Sequence, residues 1–449
     1  MVSFILPGNS ATGGYEVANS LRFNRGSSDY LNKTFSSAGS RTTWTISVWV
    51  KRANEHGTNS YIIDSGGGNG TSLYFGTEQI EFWDYQSGYT GRLTTNRVFR
   101  DMSAWYHIVA VWDTTNGTAG NRMRLYVNGV EETSFATDTN PSSSQNSILN
   151  DGSTSVTIGR QGSIYTNLYM AEFCYIDGQA LDPTSFGEFD SDSPNIWKPI
   201  DVSGLTFGTN GFYLDFENSS SLGADVSGNG NNFTVNNLTS IDQTTDTCTN
   251  NFATFNPLMS LSTGNSFPTA LTDGSTINSD TRSGGDARSL ATIAVPRTGK
   301  WYYECKVISG GAYISIGLFQ YLGNAVPTKW VRYYGASGIK NLDGTSTSYG
   351  ATFTNNDIIG CLADIENNQI TFYKNGASQG AISYTFASGE DYFMTAGDEA
   401  GTSHSVAANF GNPAFTISSG NSDPAGYGNF EYSTDGGYAL CTKNLAKFG

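Results

Sequence analysis

The chain has 449 residues, 14% of them charged and 13% aromatic, with 53 glycines and a formal net charge of −16. That length exceeds one ordinary core and calls for two or three domains. The aromatic content excludes a disordered chain. The acidity, with no basic cluster to offset it, excludes a phosphate-tracking nucleic-acid surface.

The opening MVSFILPGNS has neither the basic segment nor the long apolar run of a secretory signal, and no apolar stretch is long enough to span a membrane. The expectation is synthesis in a cytoplasm, without a signal peptide and without membrane insertion. Residues 1–18 read as an amino-terminal arm. From 19 to 195 short alternating runs follow one another: SLRFN, WTISVWV (44–50), YIID (61–64), SLYF (72–75), QIEFW (79–83), WYHIVAVW (105–112), RLYVNGV (124–130), VTIG (156–159) and LYMAEFCYI (168–176). In WTISVWV the period of two places Trp44, Ile46, Val48 and Val50 on one face and Thr45, Ser47 and Trp49 on the other. Asp182-Pro183 predicts one helical turn, with Asp as cap and Pro at the first position.

Residues 196–260 turn to Ser, Asn, Thr and Gly and read as a connector with short strands, GFYLDF (211–216) being the best of them. A second β-rich block covers 261–420. It holds KWYYECKV (300–307), AYISIGLF (312–319), DIIGCLAD (357–364), TFYKNGA (371–377), YFMTA (392–396) and SVAANFG (405–411). Residues 421–449 read as a polar tail. Two such blocks predict an all-β chain of two antiparallel β-sandwich, jelly-roll domains joined by the Ser/Asn/Gly-rich connector. RLYVNGV and TFYKNGA are the same phrase in different halves: an aromatic-rich run entering an Asn-Gly hairpin turn, where both residues must accept positive φ. The five cysteines lack metal-site spacing, and those in EFCYI, YECKV and IGCLADI read as buried small hydrophobes.

The first block, through SLRFN, TISVWVK, WYHIVAVWD, RLYVNG and VTIGR in that order, resembles the laminin-G-like (concanavalin-like) jelly roll. The second, through GKWYYECKV, ISIGLF, IIGCLADIENNQITFYKNG and VAANFG, resembles a SPRY domain. The pairing, with ANSLRFNRGSSDYLNKTFSSAGSRTTWTISVWVKR and GFYLDFENSSSLGADVSGNGNNF, resembles structural proteins of marine bacteriophages. That resemblance implies a virion-surface protein made in the host cytoplasm. It would be a tail fibre or receptor-binding protein that engages a host-surface glycan or protein and other virion proteins, as a closed homo-oligomer. The alternatives are a capsid decoration or head-fibre protein and, further off, a glycan depolymerase.

Enzymatic readings fare poorly. Glycoside hydrolysis needs two carboxylates aimed across one cleft, and the nearest spacings, Glu81 with Asp84, Asp215 with Glu217 and Asp364 with Glu366, fall short of the E-x-D-x-x-E pattern. His56, His107 and His404 have no ligand-spaced partner, so zinc is not expected, and His107 reads as a satisfied, half-buried side chain. SGGGNG (65–70) lacks the Lys-Ser/Thr of a phosphate loop. Calcium is the cofactor to test, because laminin-G-like modules hold it with loop oxygens. Asp64, Asp113 and Asp151 are the candidates, against the plain alternative that they cap turns. Two aromatic clusters are the candidate ligand-binding surfaces: Trp83, Tyr85 and Tyr89 in FWDYQSGY, and Trp330, Arg332, Tyr333 and Tyr334 in KWVRYYG. The competing reading makes Trp83 core on an alternating strand and lays Tyr333 and Tyr334 over a sheet edge.

Overall fold

The computed structural model describes residues 14–53, 59–260, 272–279, 287–321, 328–398 and 403–449. The chain divides into two compact units, the first ending at Thr249 and the second starting at Asn250.

The first unit is a sandwich of two eight-stranded antiparallel sheets. The centre of its first sheet is Trp105–Asp113, Thr43–Arg52 and Leu168–Asp177, paired in that order. The second sheet runs through Tyr89–Thr95, Gln79–Tyr85, Gly70–Gly76 and Ser60–Ser65 to Val156–Ile158. Between them lies one apolar core, to which Trp44, Ile46, Val48 and Val50 contribute as the alternation predicts. The opposite face of the same strand is buried too. Trp49 packs in a separate cluster with Trp105, Tyr169 and Trp197, and Thr45 donates to the Gln179 carbonyl at 2.8 Å.

What covers that second face corrects the expected connector. Residues 196–249 belong to the first unit. Phe212–Leu214 and Gln243–Thr244 pair into its first sheet, and Thr234–Asn236 into its second. Phe186, Val202, Phe207 and Tyr213 pack on the outside of the first sheet, while Phe212, Leu222, Phe233 and Leu238 join the central core. The segment is polar because it is mostly turns, yet its sparse large residues are buried. The helical turn appears as a 3-10 turn at Pro183–Ser185, where Thr184 N donates to Asp182 Oδ1 at 2.9 Å.

The second unit is a sandwich of a seven-stranded and a six-stranded antiparallel sheet. Lys300–Ser309 lies between Ile358–Asp364 and His404–Asn409 in the smaller sheet, and Ile314–Gln320 lies between Tyr392–Asp398 and Trp330–Tyr334 in the larger. The expected tail is again part of the body. Phe430, Ala439 and Cys441 pack on Tyr302 and Leu362, and Leu440 enters the central core. The chain finishes in the helix Thr442–Phe448. Glu304 anchors this ending: its buried carboxylate accepts the backbone N–H groups of Glu431 and Tyr432 at 2.9 and 2.8 Å. All five cysteines are buried and none is in a disulfide.

Candidate binding surfaces

On the second sheet of the first unit, alternation sends Ile80 and Phe82 into the core and Glu81 and Trp83 to the outer face. Neighbouring strands, in register, add Tyr74 opposite Glu81, Tyr61 opposite Tyr74, and Arg92 opposite Trp83. The rings form one chain. Tyr61 stacks on Tyr74 at 4.6 Å, Tyr74 meets Trp83 edge-on at 6.5 Å, Trp83 meets Tyr89 at 6.1 Å and Tyr89 meets Tyr85 at 5.1 Å. The array is graded: Trp83 is 7% exposed, Tyr85 is half-buried and Tyr89 is 47% exposed. Trp83 therefore lies beneath the exposed rings, a correction to its placement as a surface contact. Its aromatic neighbours occupy both flanks.

The exposed end is held in place. The Arg92 guanidinium sits 4.7 Å from the Tyr89 ring centre and pairs with Glu81 at 2.8 Å. The turn before Tyr89 is pinned by Ser87 N donating to Asn69 Oδ1 at 3.1 Å. Asp84, one strand position beyond Trp83, points inward and accepts from Thr71 Oγ1, Ile148 N, Gln86 Nε2 and Thr90 Oγ1. Glu81 and Asp84 thus stand on opposite faces of one strand and share no cleft. Tyr61, Tyr74 and Arg92 were missed in the sequence. Only strand register brings them beside Trp83, although SYIID and SLYF, each a tyrosine among strand formers, carry a trace of it.

The three calcium candidates are each occupied locally. Asp64 is buried and accepts from Ser72 Oγ, Gln161 Nε2 and Gly67 N, and burial raises its pKa. Asp113 accepts from Thr115 N and Oγ1, and Asp151 from Ser153 and Thr154, as turn-capping residues do. Among the described residues no three His, Cys, Asp or Glu side chains are grouped to hold a metal.

His107 is fully buried, where a half-buried side chain was expected. Trp197 Nε1 donates to its Nδ1 at 2.9 Å, so Nε2 carries the hydrogen and donates to Ser47 Oγ at 2.8 Å. Burial pulls its pKa down to about 3, which keeps it neutral. It is a structural side chain.

In the second unit the strand Trp330–Tyr334 splits the candidate set. Val331 and Tyr333 point inward, and Tyr333 is 0% exposed, its hydroxyl on the Ala351 carbonyl. Tyr333 is core and drops out of the binding set, as its parity with Val331 dictates. Trp330, Arg332 and Tyr334 share the outer face. Trp330 stacks on Phe319 at 5.7 Å, and the Arg332 guanidinium, itself buried, lies 5.2 Å from the ring centres of both Trp330 and Tyr334. Asn341 Oδ1 accepts from Trp330 Nε1 at 2.5 Å and fixes the indole. A separate cavity of about 260 Å³ lies between Val295, Arg297, Ile365, Phe386, Glu390 and Tyr392, a volume at the small end for ligand sites.

Residues 25–169 match the family model of the concanavalin A-like lectin/glucanases superfamily, and residues 300–407 match that of the SPRY domain. The chain is 39% identical over 110 residues to Ran-binding protein 9 of Danio rerio, covering 22% of this chain and 18% of that protein. It is 36% identical over 106 residues to a Ran-binding proteins 9/10 homolog of Drosophila melanogaster, covering 21% of this chain and 11% of that protein. The chain thus spans less than a fifth of the length of either relative. Among solved structures, the SPRY domain of human HERC1 is 19% identical, with 34% of this chain and 96% of that chain covered at a TM-score of 0.28. These named relatives are Ran-binding proteins and a SPRY domain, where the sequence resemblance pointed to virion proteins. The chain carries a concanavalin-like domain and a SPRY domain, each within its own sandwich.

Proposed function

We propose that this is a non-catalytic virion-surface protein of a bacteriophage whose concanavalin-like domain binds a glycan on the host surface. The observation that carries the glycan-binding part is the graded aromatic array ending in Tyr85 and Tyr89; the virion setting rests on the sequence resemblance alone. Buried rings (Tyr61, Tyr74, Trp83) make a rigid base, and an exposed ring backed by Arg92 is presented at its edge. A preordered aromatic face costs little entropy to use and matches the apolar face of a sugar ring. Net charge of −16 disfavours acidic glycans and points to a neutral one. The test is binding of the purified chain to a panel of neutral and acidic oligosaccharides, with Tyr89→Ala and Tyr85→Ala alongside. Retention of a neutral class by the parent chain and its loss in both folded variants support the reading. Equal binding by variants and parent moves the site elsewhere.

The second reading, a capsid decoration or head-fibre protein, draws on the SPRY-domain sandwich. Its sheets end in Thr345–Ser348 and Ala377–Ser383, largely exposed edge strands without a charged residue. Uncharged edges of this kind are open to pairing with a strand of a neighbouring protein. Tight binding to particles stripped of this protein, with no binding to susceptible cells, would favour this role.

A further inference from the structure

We propose that Lys51 and Asp246 are joined by an intramolecular isopeptide bond, an amide between Lys51 Nζ and Asp246 Cγ, formed by the folded domain itself. This inference stands apart from the ligand reading.

Lys51 lies on the central strand Thr43–Arg52, and Asp246 follows Gln243–Thr244, near the end of the first unit. Their side chains are both 0% exposed, with Nζ 2.7 Å from Oδ2. The carboxyl and the backbone that carries it are both held. Trp105 Nε1 donates to Oδ1 at 3.0 Å, while the Asp246 backbone is fixed by its N–H donating to Thr244 Oγ1 at 3.0 Å and its carbonyl accepting from Ser20 Oγ at 2.6 Å. Aromatic rings line the pair: Trp49, Trp105, Tyr169 and Cys248 share one buried cluster, and Nζ lies 5.7 Å from the Tyr169 ring centre. This places an amine and a carboxyl in contact, in fixed orientation and without bulk water. Such positioning replaces a bimolecular encounter.

The chemistry closes within the pair. A desolvated ammonium–carboxylate pair is costly in a low-dielectric interior. Transfer of one proton from Nζ to Oδ2 leaves a neutral amine and a neutral acid, in line with the lowering of the Lys51 pKa by burial. The Nζ lone pair then attacks Cγ. Negative charge develops on Oδ1, where the Trp105 N–H already sits, as an oxyanion donor does. As the tetrahedral centre collapses, a second proton passes from Nζ to Oδ2, the Cγ–Oδ2 bond breaks and Oδ2 leaves as water. Nitrogen begins with three hydrogens and ends with one. The other two depart with oxygen, with no change of oxidation state and no co-reactant. The bond would tie a central strand to the end of the polar wrapping segment across 195 residues of sequence, and long closed loops restrict the unfolded chain most.

The intact mass of the purified full chain, measured under denaturing conditions, reads the bond directly. The expected result is a chain one water lighter than its sequence, with the Lys51 and Asp246 peptides recovered as one branched species after digestion. Lys51→Arg and Asp246→Ala should both restore the full mass, and this readout does not depend on how well either variant folds. A parent chain of full sequence mass overturns the proposal. So does a water loss that digestion places at any other pair.

Discussion

The two hairpin turns that carry the repeated phrase, one in each domain, are built alike far beyond their shared Asn-Gly. Asn128 and Gly129 have φ of 50° and 78°, and Asn375 and Gly376 have 48° and 79°. In the first domain Asn128 N donates to the His107 carbonyl at 2.9 Å while His107 N donates back to Asn128 Oδ1 at 2.8 Å. In the second, Asn375 and Ile358 exchange the same two bonds at 2.8 Å each. A Cβ on Gly129 would meet the Trp197 ring at 2.3 Å, and one on Gly376 would meet the Tyr432 ring at 2.7 Å. Both aromatics come from the polar segment that follows each run of core strands. The repeated phrase therefore records three constraints satisfied together: positive φ, a side-chain latch to the next strand, and a bare glycine under a covering ring.

The comparison extends to how each wrapping segment is fastened, with a buried acid in both cases. In the first domain Asp246 meets Lys51 and Trp105, and Glu172 accepts from Tyr213 Oη at 2.6 Å and Tyr15 Oη at 3.3 Å. In the second, Glu304 meets two backbone N–H groups, Asn409 Nδ2 and Tyr302 Oη. The partners differ, and so should the cost of disturbing them.

Asp246→Ala should have the largest effect, about 3–5 kcal/mol in chemical denaturation, because it takes from buried Lys51 the carboxyl group it contacts and cuts the link between the central strand and the wrapping segment. Gly129→Ala should follow at about 2–4 kcal/mol, combining unfavourable φ with overlap on fully buried Trp197. Gly376→Ala should cost less, since Tyr432 is only half-buried and its contact is longer. Equal losses at both glycines would break the parallel between the turns. Glu304→Gln should cost about 1–3 kcal/mol by turning an amide N–H toward a backbone donor that cannot rotate. Glu172→Gln should cost less than that, because the Tyr213 and Tyr15 hydroxyls can turn to accept.

The same acids set a pH dependence. Burial raises both Glu172 and Glu304 from 4.5 to about 7, against the hydrogen bonds that pull the other way. Between these values the native chain holds protons that the unfolded chain has released, so stability falls as pH rises from 4.5 to 7. The loss is on the order of 3 kcal/mol for each group and is complete above the native value. Denaturation midpoints that rise across this window would contradict the assignment. The smallest stability effect belongs to Tyr89→Ala, within about 0.5 kcal/mol at an exposed ring.

Strands were legible wherever period-two alternation met aromatic or β-branched residues, as in WTISVWV and KWYYECKV. Tyr333 was legible in principle, by its parity with Val331, where the expected alternative to a binding role was a place over a sheet edge. The wrapping segments were not legible. Phe207, Phe233 and Phe430 are isolated aromatics in polar text, and only the sheet they land on makes them core. The aromatic array was half visible, because Trp83, Tyr85 and Tyr89 are sequence neighbours whereas Tyr61, Tyr74 and Arg92 join them through register.

The role proposed for the graded aromatic array of the concanavalin-like domain is recognition of the host surface. It is tested most directly by equilibrium binding of the purified chain to intact candidate host cells, beside Tyr89→Ala, Tyr85→Ala and Trp330→Ala, each first shown to retain the parent's denaturation midpoint. Saturable binding that falls at least tenfold in the Tyr89 and Tyr85 variants, and persists in the Trp330 variant, is the predicted result. Binding unchanged by the two tyrosines but lost with Trp330 would contradict it and assign recognition to the SPRY domain.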